Sequence, residues 1–83
     1  MNAVILDGAA LTHETLAEAF GFPSYYGRNL DALADCLGEL PPTAAIVLHG
    51  ADADEYGRRI LAVLRDAAQS NPDFRLFFGE EIL

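Results

Sequence analysis

From Tyr25 to Leu37 the chain reads Tyr-Tyr-Gly-Arg-Asn-Leu-Asp-Ala-Leu-Ala-Asp-Cys-Leu. The spacing predicts a helix opening near Gly27, with Leu30, Leu33 and Leu37 on one stripe and Asp31 and Asp35 on the opposite face. Carboxylates at i and i+4 stand roughly 5–6 Å apart and repel by a few tenths of a kcal/mol. Asp is a poor residue for a helix interior, and Asp35 falls toward the negative end of the helix dipole. Several local preferences are broken at one spot, which is how a functional surface departs from a purely structural one.

Three chemistries suit such a pair. Paired carboxylates act as acid and base in glycosidases, but acid work needs a carboxyl raised by burial, and this pair is predicted to be exposed with no pocket indicated. A divalent cation usually collects more oxygens from a defined loop. The plainest reading is a solvated helix face. Gly27 and Gly38, however, flank the pair on the same side of the helical wheel, and positions without side chains let another backbone come close. Together these features point to a protein-binding face. Tyr25 precedes the helix and is a candidate aromatic anchor, whereas Tyr26 falls on the leucine side and is expected in the core. Asp66, on the outer side of a later helix, is by itself an ordinary surface acid. Cys36 reads as a small buried hydrophobe rather than a nucleophile. His13 and His49 have no metal-ligand spacing and read as loop or cap residues. No Walker, GxGxxG or GxSxG motif occurs. No cofactor and no metal are expected.

The elements that must position this face follow from the rest of the chain. Ala3–Leu6 is a short buried strand ended by Asp7-Gly8. Thr12 caps a helix carrying Leu16, Ala19 and Phe20, closed by Gly21. The acidic helix stops at Gly38, and Pro41-Pro42 forbids its continuation. Thr43–Leu48 is a second strand whose unbroken apolar character suggests a central strand or one covered on both faces. His49–Ala53 is a loop. Asp52 or Asp54 caps a long helix through Ala68 with Ile60, Val63, Leu64 and Ala67 inward. Phe74–Phe78 is a third strand, and Gly79–Leu83 a short tail. The order β-α-α-β-α-β implies a parallel sheet with right-handed crossovers, hence a two-layer α/β domain spanning residues 1–83.

The chain has 83 residues, 13 acids against 5 bases, all of them arginine, and a net charge of −8. That balance repels nucleic acid and anionic membrane and favours a basic partner. The single cysteine excludes an internal disulfide. The opening Met1–Asp7 lacks a basic start, so a signal peptide is not expected, and no apolar run approaches the ~20 residues of a membrane span. A cytoplasmic location is expected.

The segment Tyr25, Tyr26, Gly27, Asn29, Leu30, Asp31, Ala32, Leu33, Asp35, Cys36 and Leu37 strongly resembles the barstar family of intracellular ribonuclease inhibitors. Weaker likeness extends over Ala3-Val4-Ile5 with Gly8 and over Val63-Leu64-Arg65-Asp66-Ala67. The resemblance implies three parallel strands in order 1-2-3 with helices packed against them, and no catalytic activity. It implies an immunity protein whose acidic helix plugs the active site of a basic secreted bacterial ribonuclease, as a 1:1 complex formed from a free monomer. By the same resemblance Asp31 and Asp35 are the main carboxylates, and Tyr25 packs on the nuclease. Gly27 and Gly38 allow close approach, Asn29 contributes hydrogen bonds and Asp66 a peripheral charge pair. Ala34 stands where the family's contact surface carries a tryptophan. Arg28 stands where an acid is expected, and pairing with Asp31 at i+3 would partly neutralise the stripe. The connection from His49 to Glu55 is expected to lack one helix. The alternative is a non-inhibitory module that turns the same face to another basic protein. A small enzyme or cation binder using Asp31, Asp35 and Asp66 is the third possibility.

Overall fold

The computed structural model describes residues 2–79. Three strands, β1 (Asn2–Asp7), β2 (Thr43–Leu48) and β3 (Phe74–Phe78), form one parallel sheet in the order 1-2-3. Three helices, α1 (His13–Phe20), α2 (Leu30–Gly38) and α3 (Glu55–Ser70), make the second layer. The expected two-layer architecture is therefore present. The tail expected beyond Gly79 lies outside the described residues.

Each helix begins where a short polar side chain meets its free amides. Thr12 and Thr15 form a reciprocal box at α1. Asn29 Oδ1 accepts from the Ala32 amide at 2.7 Å, and Asp54 Oδ1 from the Gly57 amide at 2.7 Å. Gly21 ends α1 in the left-handed region at φ 71°. The acidic helix starts at Leu30 rather than near Gly27, because Asn29 is its cap. Gly27 consequently lies outside the helix and shares no helical wheel with Gly38. Single-turn 3-10 segments at Gly8–Ala10 and Gly50–Asp52 were not apparent in the sequence. The second of them crosses most of the His49–Ala53 loop in three residues, which is how the shortened connection reaches α3.

Parallel pairing aligns Val4 with Ala45 and Leu76, and Leu6 with Val47 and Phe78. This inner face packs on the helices with Leu16, Leu33, Leu37, Ile60 and Leu64, all fully buried, and Phe74. Leu61 joins the core more deeply than the expected Val63, which is only partly buried. The other sheet face carries the row Ile5–Ile46–Phe77, with Ile5 67 % and Phe77 51 % exposed. β2 is thus a central strand covered by helices on one face, among the described residues, rather than on both.

Two contacts fix the C-terminal end of α2. Leu37 inserts beneath it, and Asn71 Nδ2 donates to the Leu37 carbonyl at 3.0 Å across from the end of α3. Replacing Leu33 with Ala should destabilise the protein by about 2–5 kcal/mol, since the site is fully buried and bordered by the sheet. A urea unfolding curve followed by circular dichroism checks this, and a loss below about 1 kcal/mol would contradict the packing described.

Candidate functional site

With Leu33 and Leu37 turned inward, α2 presents Asp31, Ala34, Asp35 and Gly38 outward, and all four are exposed. The helix forms a ridge between two grooves. On one side Ala34 and Gly38 meet Asp66, Val63, Ala67 and Ser70 of α3 in a small groove of about 160 Å³. On the other side Asp35 borders a larger groove of about 640 Å³, which the α1–α2 connection closes with Tyr25, Tyr26 and Gly27. The structure therefore brings Asp66 to Ala34 and Gly38, and Tyr25 and Gly27 to Asp35. Asp31 and Asn29 line neither groove; they occupy the N-terminal end of the ridge. Asn29 is used as a cap, which leaves its amide nitrogen pointing back to the Gly27 carbonyl at 3.3 Å.

Tyr25 is 86 % exposed. Its neighbour Tyr26 is buried, as the sequence suggested, and a histidine holds it there. His13 Nδ1 lies 2.8 Å from the Tyr26 hydroxyl and Nε2 2.6 Å from the Tyr56 hydroxyl. A neutral imidazole has one donor and one acceptor nitrogen, so one hydroxyl donates to the ring and the other accepts from it. His13 is therefore a buried joint between α1, the Tyr25–Asn29 connection and α3, and not the loop or cap residue expected. Neither tyrosine–histidine separation in sequence, 13 and 43 residues, gives a periodic signal that could have revealed it.

The electrostatics also differ from expectation at Arg28. It adopts φ 54°, an uncommon conformation for a residue with a Cβ, and its guanidinium reaches Glu14 of α1 at 3.8 Å rather than Asp31. Both partners are exposed, so the pair contributes little to stability. Its consequence is directional: the nearest cation in sequence is turned away from α2. Among the described residues no ion pair engages Asp31, Asp35 or Asp66. Asp31 lies in the first turn, where the helix dipole favours it, and Asp35 in the last turns, where it does not. Glu39, the C-cap, continues the acidic row at the same four-residue interval and borders the larger groove. The helix ends at Gly38 as expected, and Glu39, one residue beyond it, is not among the residues that the sequence singles out. Cys36 is half-buried beneath these acids, and its thiol is pushed up by burial and then by Glu39 and Asp35. A thiol in that state is a weak nucleophile. Among the described residues no group of three His, Cys, Asp or Glu is placed to hold a metal ion, and no helix is long and apolar enough to cross a membrane.

The chain matches the family described as Barstar (barnase inhibitor) over residues 4–79. It belongs to the barstar family. It is also 33 % identical over 84 residues to a protein of Bacillus subtilis (strain 168) named "Putative ribonuclease inhibitor YrdF", covering 88 % of this chain and 92 % of that one. The family's description is that of an inhibitor rather than of an enzyme. The match takes in all three helices, β2, β3 and most of β1, and among the described residues only a single 3-10 turn lies between β2 and α3.

Two expectations follow from this geometry. Burial raises the Tyr26 hydroxyl from 10.0 to about 12, with smaller contributions from Cys36, Tyr56 and Glu14. The folded protein therefore holds this proton more tightly than the unfolded chain. The associated stability is intact below pH 10 and is lost as pH rises from 10 to about 12. Urea midpoints measured across that range should fall, and Tyr26→Phe should remove this part of the fall. Separately, a Cβ added at Gly38 meets nothing within 4 Å. Gly38→Ala should leave folding unchanged or stabilise it by up to about 1 kcal/mol, measured by thermal unfolding. A marked loss would mean that the free protein itself needs the glycine.

Proposed function

We propose that this protein is a cytoplasmic inhibitor, an immunity protein, that blocks the active site of a basic secreted bacterial ribonuclease in a 1:1 complex. The observation that carries this reading is the unneutralised acidic ridge of α2, fixed at both ends and flanked by an exposed tyrosine. A ribonuclease gathers Arg, Lys and His around the phosphate it cleaves, so its active site is a concave, positively charged surface. A convex ridge of carboxylates matches that surface in shape and sign. It speeds encounter, and it excludes RNA by occupying the phosphate sites. The family description and the relative's name as a ribonuclease inhibitor support the same reading.

In this reading Asp35 takes the place of the RNA phosphate, and Asp31 adds charge at the helix start. Asp66 pairs at the periphery, Tyr25 packs against the nuclease, and Asn29 keeps the helix start in place. Ala34, Gly27 and Gly38 leave room for the nuclease backbone to come close. The absence of a bulky side chain at Ala34 leaves the groove toward Asp66 open. Diversion of Arg28 to Glu14 keeps the ridge charged until a partner arrives.

Titration into a panel of purified bacterial ribonucleases, with RNA cleavage followed at low and at physiological salt, tests the proposal. One nuclease should be inhibited stoichiometrically, more tightly at low salt. Asp35→Ala should weaken that inhibition by about 2–5 kcal/mol, because it strands the opposing cations in a desolvated interface. Full inhibition by an Asp31→Asn, Asp35→Asn double variant would overturn the proposed mechanism. Binding without inhibition would assign the same face to a non-inhibitory role.

A further inference from the structure

The larger groove extends well past Asp35. Phe20 and Phe22 stack along it with ring centroids 5.5 Å apart and an interplanar angle of 19°, and Tyr26 follows at 4.9 Å from Phe22. Leu40 and Pro41 close its far end, with Ala32 and Cys36 along α2. Phe20, Phe22, Ala32, Cys36 and Leu40 are half-buried and Tyr26 is buried, while Tyr25, Gly27, Asp35, Glu39 and Pro41 are exposed, so the groove is a shallow concavity open to solvent along its acidic side. Two carboxylates, Asp35 and Glu39, stand on its lip one helical turn apart, and no cationic side chain lines it. Both lie close enough to Cys36, on the groove wall, to raise its thiol after burial does. Apolar walls of low polarisability sharpen the carboxylates' field rather than screen it.

We infer that this groove receives an arginine side chain of the partner protein, stacked on the Phe20–Phe22–Tyr26 wall, with Glu39 joining Asp35 as a second carboxylate against its guanidinium. The inference rests on reading the outer face of α2 as a partner-binding surface, and it adds a specificity-determining residue to that surface. Charge complementarity selects a cation. The aromatic wall then selects arginine over lysine. A guanidinium is flat, weakly hydrated and forked, so it stacks on rings while bonding carboxylates edge-on. An ammonium is a compact, strongly hydrated charge that loses more water on entering a groove lined with rings. Stacking of this kind already occurs elsewhere in the molecule, where the Arg65 guanidinium sits over the Phe78 ring at 5.1 Å. The Glu39 backbone is held in place by its amide, which donates to Cys36 and Leu37 carbonyls, while its side chain stays exposed and free to turn inward.

The test titrates the protein with N-acetyl-arginine N-methylamide, and separately with its lysine counterpart, followed by NMR. The arginine derivative should produce saturable shifts confined to Phe20, Phe22, Tyr26 and Glu39, with a dissociation constant in the millimolar range; the lysine derivative should bind more weakly. Glu39→Gln should weaken arginine binding about three- to tenfold. Glu18→Gln, the same loss of charge on the exposed face of α1, should leave it unchanged. Shifts scattered over the acidic surface, equal titration by lysine, or indifference to Glu39→Gln would each overturn the inference. A flat titration would overturn it too, and because no ribonuclease enters this experiment, that result would leave the inhibition reading on Asp35 standing. A failed inhibition assay likewise leaves the groove testable.

Discussion

The hydrogen-bonded chain Tyr26–His13–Tyr56 is the interaction on which the arrangement of the surface depends. A nine-residue helix such as α2 is too short to be stable alone and must be held by its surroundings. Its inner leucines supply the burial, but burial is non-directional and sets neither rotation nor register of the connection before it. The histidine does that. It sits at the start of α1, where the Thr12–Thr15 box fixes the backbone, and engages one hydroxyl from the connection and one from the first turn of α3. Both ring nitrogens are satisfied, so its burial leaves no orphaned polar atom, and among the described residues none exists. With Tyr26 pinned, Tyr25 is forced outward and Gly27 sits beside α2.

The charges on α2 are graded along the helix. Asp31 near the N-terminus is stabilised by the dipole, while Asp35 and Glu39 near the C-terminus oppose it and repel one another. The free protein gains nothing from this gradient, and its own chemistry offers a remedy it does not use. Arg28 is one turn from Asp31 and could neutralise it, yet a left-handed backbone sends it to Glu14 for an exposed pair of small worth. A local cost at φ 54° and an unquenched acidic row occur together. That is the pattern of a surface whose electrostatic partner is another molecule.

Much of this was legible in the sequence because it rests on local rules. The three strands follow from short apolar runs bounded by Gly, Pro and Asp, and two of them, Thr43–Leu48 and Phe74–Phe78, lie where the runs do. Parallel order follows from helical connections. The outward set on α2 follows from the inward leucines, since three fixed positions determine the rest of a helix. What the sequence concealed was long-range. Nothing near His13 announces Tyr26 or Tyr56. Asn29 caps the helix two residues past Gly27, so the helical wheel that would pair Gly27 with Gly38 does not form. Glu39 lies just past the helix end at Gly38, which sequence and structure share, so no helical spacing marks it. The groove could not be read at all, because its walls come from the end of α1, the connection and the segment after α2, which meet only through the fold.

Charge and shape divide their tasks on such a surface. An acidic row acts over about a Debye length, roughly 10 Å at moderate salt, and attracts any basic protein that passes. It therefore governs encounter but discriminates poorly. Discrimination needs short-range features that a wrong partner cannot fill, and here these flank the row: a narrow cleft beside Ala34 and Gly38, and an aromatic groove beside Asp35. Both are bounded by elements held together within the free protein. The cleft is bounded by α3, which is bonded to α2 through Asn71, and the groove by the connection that His13 holds. A partner meeting them loses little to ordering of this chain, so binding energy goes into contact rather than into folding the surface. Gly38, Glu39 and Tyr25, all exposed, are among the residues bordering these features. The same packing that makes a small domain stable thus holds these exposed residues in place.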